Sequence, residues 1–196
     1  MRSDKTIVIA RDMKRFTTVN SSDVIDLLRS GAVGILRTDT LYGIVCRADN
    51  QAAVERIYRL KDRSEHKSPI VLVASVDQLF DVPSEKAAEL LKSVWPGPVS
   101  VILPSNAAPK WLRRENDSIA YRLPAVEPLL NLILQTGPLI APSANPEGQV
   151  PAMTVDEAYD YFGESVDFYV DGGFVEDNTP SKLIRVNENG DTERIR

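Results

Sequence analysis

Thirteen prolines punctuate this chain of 196 residues, and eleven of them fall between Pro83 and Pro151. Proline fixes its own φ, lacks an amide donor and pushes the residue before it away from the helical region. Such a stretch contains many fixed turns. Its apolar content is too high for disorder. Val99–Leu103 and Leu129–Leu134 are largely apolar runs, as is Ile70–Ala74 upstream. All are far shorter than the roughly 20 residues a membrane helix needs.

The patterns between the prolines alternate in kind. Ser22–Arg29 predicts a helix ending before Gly31, and Ala32–Leu36 a buried strand. Asn50–Arg63 is the clearest helix, with Ala53, Ile57 and Leu60 at helical spacing beside Val54 and Tyr58. Pro69–Ala74 reads as a central strand, Ser84–Trp95 as a helix broken by Pro96-Gly97-Pro98, and Val99–Leu103 and Ser118–Leu123 as strands. Val126–Thr136 predicts a helix closed by Gly137, and Leu139–Ala141 a short strand. Thr154-Val155-Asp156-Glu157 is a capping box opening a helix to Tyr161. Phe168–Val170 and Leu183–Val186 predict strands, and Asn189-Gly190 a hairpin turn with Arg194-Ile195-Arg196 returning as an edge. Interspersed strands and helices without repeat or linker predict one α/β (α+β) domain over residues 1–196, built on a mixed sheet.

Composition excludes several chemistries. Net charge is −5, from 28 acidic and 23 basic residues, which disfavours a uniformly basic nucleic-acid binder but leaves room for a local basic cleft. Cys46 and His66 are the only cysteine and histidine, so neither a Cys/His zinc site nor a conventional serine triad can be assembled, and no metal site is expected. Cys46 follows Ile44-Val45 and reads as a small buried hydrophobe, His66 as a surface group. A lone cysteine fits a reducing compartment, and Met1–Arg15 is too charged for a signal peptide. Both point to the cytoplasm, with no membrane partner.

Three polar loops carry the chemistry. Thr38-Asp39-Thr40-Leu41-Tyr42-Gly43 follows a buried strand, where sites gather in open α/β sheets. Its competing reading is a turn whose threonines bond their own backbone. Lys61-Asp62-Arg63-Ser64-Glu65-His66-Lys67 brings three cations onto a loop. If that loop is extended, Lys61 and Arg63 point the same way, which suits a triphosphate. Alternatively it is a solvated helix C-terminus favoured by the dipole. Ser143-Ala144-Asn145 is stiffened by Pro142 and Pro146, as a ligand loop or an ordinary turn. No Walker motif occurs.

Together these loops resemble the YrdC/Sua5 family of threonylcarbamoyl-AMP synthases, in its short form. Arg37–Gly43 is similar to the family's P-T-E-T-V-Y-G segment, Lys61-Asp62-Arg63 to its K-x-R motif and Ser143-Ala144-Asn145 to its S-x-N motif. Trp95-Pro96-Gly97-Pro98, Tyr121-Arg122-Leu123-Pro124 and Asp171-Gly172-Gly173 resemble three further segments in the same order. The chain departs at Arg37 (usually proline), Asp39 (glutamate), Asp62 (glycine), Ser64 (proline), Leu72 (often histidine) and Lys182 (threonine). The resemblance implies a twisted sheet with a large concave cavity. It also implies the reaction of L-threonine, bicarbonate and ATP to threonylcarbamoyl-AMP and pyrophosphate, supplying t6A at tRNA position 37 through partner proteins. ATP contacts would fall on Lys61, Arg63, Lys67, Ser118, Ser143, Asn145 and Arg196, with Lys61 and Arg63 catalytic, and threonine contacts on Thr38, Thr40, Arg122 and Ser181. Mg²⁺ would ride on the phosphates. Two other readings use the same segments: a module binding tRNA or double-stranded RNA through the Arg56–Lys67 cluster, and a carbamoyl-transfer relative of the YrdC-like domain in hydrogenase maturation proteins.

Overall fold

Alternation along the strands decides which side of the sheet each helix covers. The computed structural model describes residues 14–177, 179–187 and 189–196. The first thirteen, with most of the segment that argued against a signal peptide, lie outside them. Ten strands form one mixed sheet: β1 (Lys14–Phe16), β2 (Gly34–Arg37), β3 (Tyr42–Arg47), β4 (Ile70–Leu72), β5 (Val99–Pro104), β6 (Ser118–Arg122), β7 (Leu139–Ile140), β8 (Phe168–Val170), β9 (Lys182–Val186) and β10 (Thr192–Arg194). Their spatial order is β1-β8-β2-β3-β7-β4-β6-β5-β9-β10. The helices are α1 (Ser22–Arg29), α2 (Gln51–Lys61), α3 (Glu85–Val94), α4 (Lys110–Arg113), α5 (Glu127–Thr136) and α6 (Val155–Phe162).

Ile35, Ile44, Cys46, Val71, Ile140 and Tyr169 point to one face and pack with Val54 and Ile57 of α2, Leu91 of α3, Leu112 of α4 and Phe162 of α6. Their sequence neighbours Leu36, Val45, Leu72, Leu139, Phe168 and Val170 point to the other, against Val24 and Leu28 of α1 and Leu129, Leu132 and Ile133 of α5. Period-two alternation thus feeds two cores from the same strands. The second core ends at β4. Beyond it, on the side that Leu72 faces, β6 carries Arg122 in register with Leu72.

The predicted elements form, with shifted ends. Ser21, Asn50, Ser84 and Thr154 cap their helices by accepting from the backbone N–H three residues on. Glu157 completes the box at Thr154 by accepting from the Met153 N–H at 2.7 Å, one residue earlier than the standard reciprocal bond. Glycine is required at Gly34, where a Cβ would lie 2.2–2.4 Å from the Phe168 ring. Strand β3 escaped prediction because its residues are buried on both faces, so Ile44-Val45-Cys46 shows no alternation. The return edge predicted over Arg194–Arg196 forms earlier, over Thr192–Arg194, leaving Arg196 to turn back toward Ser181.

Candidate active site

The expected polar loop after β2 is the tight turn 38–41 of a β2–β3 hairpin, in which Arg37 pairs with Tyr42. Thr38 does what the competing reading proposed: its hydroxyl donates to the Leu41 carbonyl at 2.8 Å and accepts from the Thr40 and Leu41 N–H groups. This bonding turns Thr38 and Thr40 toward each other, 3.3 Å apart, and both line a cavity of about 270 Å³. The two readings are therefore compatible.

The cavity gathers Arg63, Arg122, Ser143, Ser181 and Arg196 with those threonines. Arg122 Nη2 lies 3.0 Å from Asp39 Oδ1, with both side chains about 95% buried. Arg122 Nη2 also reaches Thr38 Oγ1 at 3.5 Å, while Arg122 Nε finds no hydrogen-bond partner among the described residues. Burial pushes the Asp39 carboxyl up despite Arg122, and pushes the Arg122 guanidinium down despite Asp39. Asp39 also lines a neighbouring hollow of about 460 Å³, and Thr38 lines both. The two hollows meet at Thr38, beside this ion pair. Ser181 Oγ meets Ser100 Oγ at 2.9 Å, and Arg196 holds the Ser181 carbonyl through Nε and Nη2.

Lys61 corrects the picture of three cations on an extended loop. It is the last residue of α2, and Asp62 closes the helix in the left-handed conformation (φ 50°), where the related motif has glycine. The Lys61 ammonium runs under the serine–asparagine loop and donates to the carbonyls of Ser143 and Asn145. It is 3% exposed, and burial, then Arg63, lower its pKa to about 7, with Glu147 opposing. The Glu147 N–H returns a bond to the Lys61 carbonyl at 2.7 Å, and its carboxylate takes the Ser64 N–H and the exposed Lys67 ammonium. Two loops distant in sequence are thereby stitched together.

Lys61 and Asn145 lie beneath the loop rather than on the cavity wall. Asn145 donates to the Pro146 and Gln149 carbonyls, leaving Oδ1 buried without a partner. Lys67 turns to Glu147, and Ser118 sits opposite Pro104 at the far end of β6 from Arg122; neither lines the cavity. Within the Arg56–Lys67 cluster, Arg56 pairs with Asp167 at 2.6 Å, and His66, exposed as expected, meets Glu115 at 2.6 Å. Sequence reading missed Asp39, Glu147 and Tyr58 as site-building residues. The first two stand inside the singled-out loops, while Tyr58 carries only a helix-core pattern. Leu72 is buried against α1 and α5, away from the cavity. Among the described residues no cluster of three His, Cys, Asp or Glu side chains is placed to hold a metal, and no helix is long and apolar enough to cross a membrane.

Residues 26–196 match the Sua5/YciO/YrdC family, described as "Telomere recombination". A threonylcarbamoyl-AMP synthase of Pseudoalteromonas atlantica is 35% identical over 188 residues, covering 90% of this chain and 98% of that protein. Sua5 of P. abyssi, solved with L-threonine, superposes with a TM-score of 0.83 at 28% identity, over 94% of this chain and 56% of its own. This chain thus spans a little over half of that archaeal protein. E. coli YciO superposes with a TM-score of 0.82 over 95% of both chains, and at 20% identity that likeness speaks to the fold alone. The family match over residues 26–196 and the 35% identity across nearly the whole of the bacterial relative agree, and the chain belongs to the Sua5/YciO/YrdC family.

Proposed function

We propose that the protein joins L-threonine, bicarbonate and ATP into threonylcarbamoyl-AMP, releasing pyrophosphate, for the t6A modification of tRNA. The observation that carries this reading is the single cavity in which Thr38, Thr40, Arg63, Arg122, Ser143, Ser181 and Arg196 meet from separate stretches of chain. The named bacterial relative supports the same chemistry.

The reacting atoms dictate what the protein must supply. The threonine amine and bicarbonate condense, with loss of water, to the N-carboxylate, and one of its oxygens attacks the α-phosphorus of ATP. The new O–P bond forms as the bond to the bridging oxygen breaks, and pyrophosphate leaves with the electron pair. Nucleophile and electrophile are both anionic, so positioned cations and donors matter more than a strong base. Arg63, Arg196 and the Ser143 hydroxyl supply that field at the cavity wall. Lys61 supplies it from beneath, through the carbonyls it holds. Arg122 takes the amino-acid carboxylate, and the Thr40 hydroxyl, placed beside Thr38, reads the substrate side-chain hydroxyl, a contact that rejects analogues lacking it. Mg²⁺ enters on the triphosphate, where it neutralises charge. The product passes to partner proteins of the tRNA-modification route, in the cytoplasm.

The test is pyrophosphate release from ATP and Mg²⁺ with threonine and bicarbonate, alongside detection of a threonine-dependent adenylate. Omission of either co-substrate, valine in place of threonine, or Lys61→Ala should abolish the signal. Release that ignores threonine would overturn the reading.

A further inference from the structure

Cations in and beside the cavity are held in several ways, Lys61 and Arg196 by backbone carbonyls and others by carboxylates. Asp39 faces Arg122, and Glu147 faces Lys67; a carboxylate fixes a cation and cancels its charge together. Arg63 makes no ion pair among the described residues. Its Nη2 donates to the Ser68 carbonyl at 3.1 Å, its Nε is buried without a hydrogen-bond partner, and its guanidinium carbon lies 5.6 Å from the centre of the Tyr58 ring.

Tyr58 is itself over-determined. It is 3% exposed on α2, one turn before Lys61. The guanidinium of Arg114 stacks 3.7 Å from its ring centre, and Arg114 is in turn anchored on Glu55 at 3.0 Å. The Tyr58 hydroxyl donates to the Lys67 carbonyl, so the same side chain also ties the far end of the cationic loop. Core packing alone requires neither the hydroxyl bond nor two guanidiniums on one ring.

We propose that Tyr58 is a positioning residue for polyphosphate binding: its ring orients Arg63 toward the cavity without neutralising it, while its hydroxyl fixes the Lys67 end of the loop. The physical basis is that an aromatic face attracts a guanidinium through its quadrupole and carries no net charge. Arg63 therefore keeps its full positive charge for an anionic ligand, where a carboxylate in the same place would cancel it. The inference rests on the ATP-dependent reading given above.

Calorimetry separates the two. Titrating wild type with Mg·ATP and, separately, with threonine tests the functional reading; a wild type that binds no ATP overturns both. Tyr58→Leu should weaken ATP binding about tenfold, as expected for a desolvated cation–π contact. It should leave threonine affinity unchanged and have no further effect in an Arg63→Met background. Tyr58→Phe should recover most of the ATP affinity. Equal losses with and without Arg63, or parallel losses for threonine, would reduce Tyr58 to a core residue and overturn the proposal. Should Tyr58→Leu fail to fold, singly to triply fluorinated phenylalanines at position 58 keep the shape of the ring while draining its negative face. ATP affinity should then fall in steps with fluorination, and a flat response overturns the proposal.

Discussion

Lys61 makes the stability of this fold depend on pH in a direction opposite to most surface lysines. Burial, reinforced by Arg63, lowers its pKa from the usual 10.5 to about 7. The unfolded chain keeps that proton up to about pH 10.4, while the folded chain releases it near 7, so between those limits the unfolded state binds more protons. Stability must therefore rise with pH across this window, and below it the whole cost of the buried charge is borne. The full difference corresponds to ~5 kcal/mol, and roughly half of it is recovered between pH 6.5 and 9. For a chain of this size that is roughly 5–10 °C in Tm. Urea unfolding followed by circular dichroism, run on wild type and Lys61→Met at half-unit pH steps, isolates the effect. The variant loses the donors to Ser143 and Asn145, a constant offset, but has nothing to titrate. The difference between the two stability curves should climb by roughly half of that full difference in favour of wild type. A flat difference would refute the reasoning, because it would mean that the two carbonyls hold the ammonium in its ordinary range.

Three further outcomes follow from the same geometry. If ATP binds beside Lys61, its charge should restore the ammonium, with uptake of about 0.9 proton per ATP at pH 8 and far less at pH 6.5, seen as buffer-dependent heats that vanish in Lys61→Met. Gly34→Ala drives a Cβ into the Phe168 ring at 2.2 Å. It should cost about 1–3 kcal/mol, lowering the urea midpoint without changing the slope, with partial recovery on adding Phe168→Leu. Cys46 is fully buried and its thiol pushed up by burial, so native protein should resist thiol reagents and label only at its unfolding rate.

The helices α1, α2, α3, α5 and α6 were legible because each has a 3.6-residue apolar stripe and a local end signal, a side-chain cap in four of them and Gly137 in α5. Strand β3 was not, because burial on both faces erases alternation. The site divided in the same way. Thr38, Thr40, Arg122, Ser143 and Arg63 could be named from their motifs and do meet. Lys61 was named for the right segment with the wrong local geometry: a left-handed Asp62 ends the helix where an extended loop was expected. Tyr58 was read as core, correctly, and nothing in a helical stripe reveals that a guanidinium rests on the buried ring.

What this chain determined by itself was the kind and order of most of its elements, a content of one histidine and one cysteine, and three polar loops whose motifs name a family. These depend on neighbours a few residues apart, which sequence displays directly. Only the tertiary structure decided which cation is cancelled by a carboxylate, which is steered by a ring, and which is buried with its proton loosened. Those outcomes depend on distances of a few ångströms between segments some eighty residues apart, such as Lys61 to Ser143 and Asp39 to Arg122, in surroundings where water no longer screens charge.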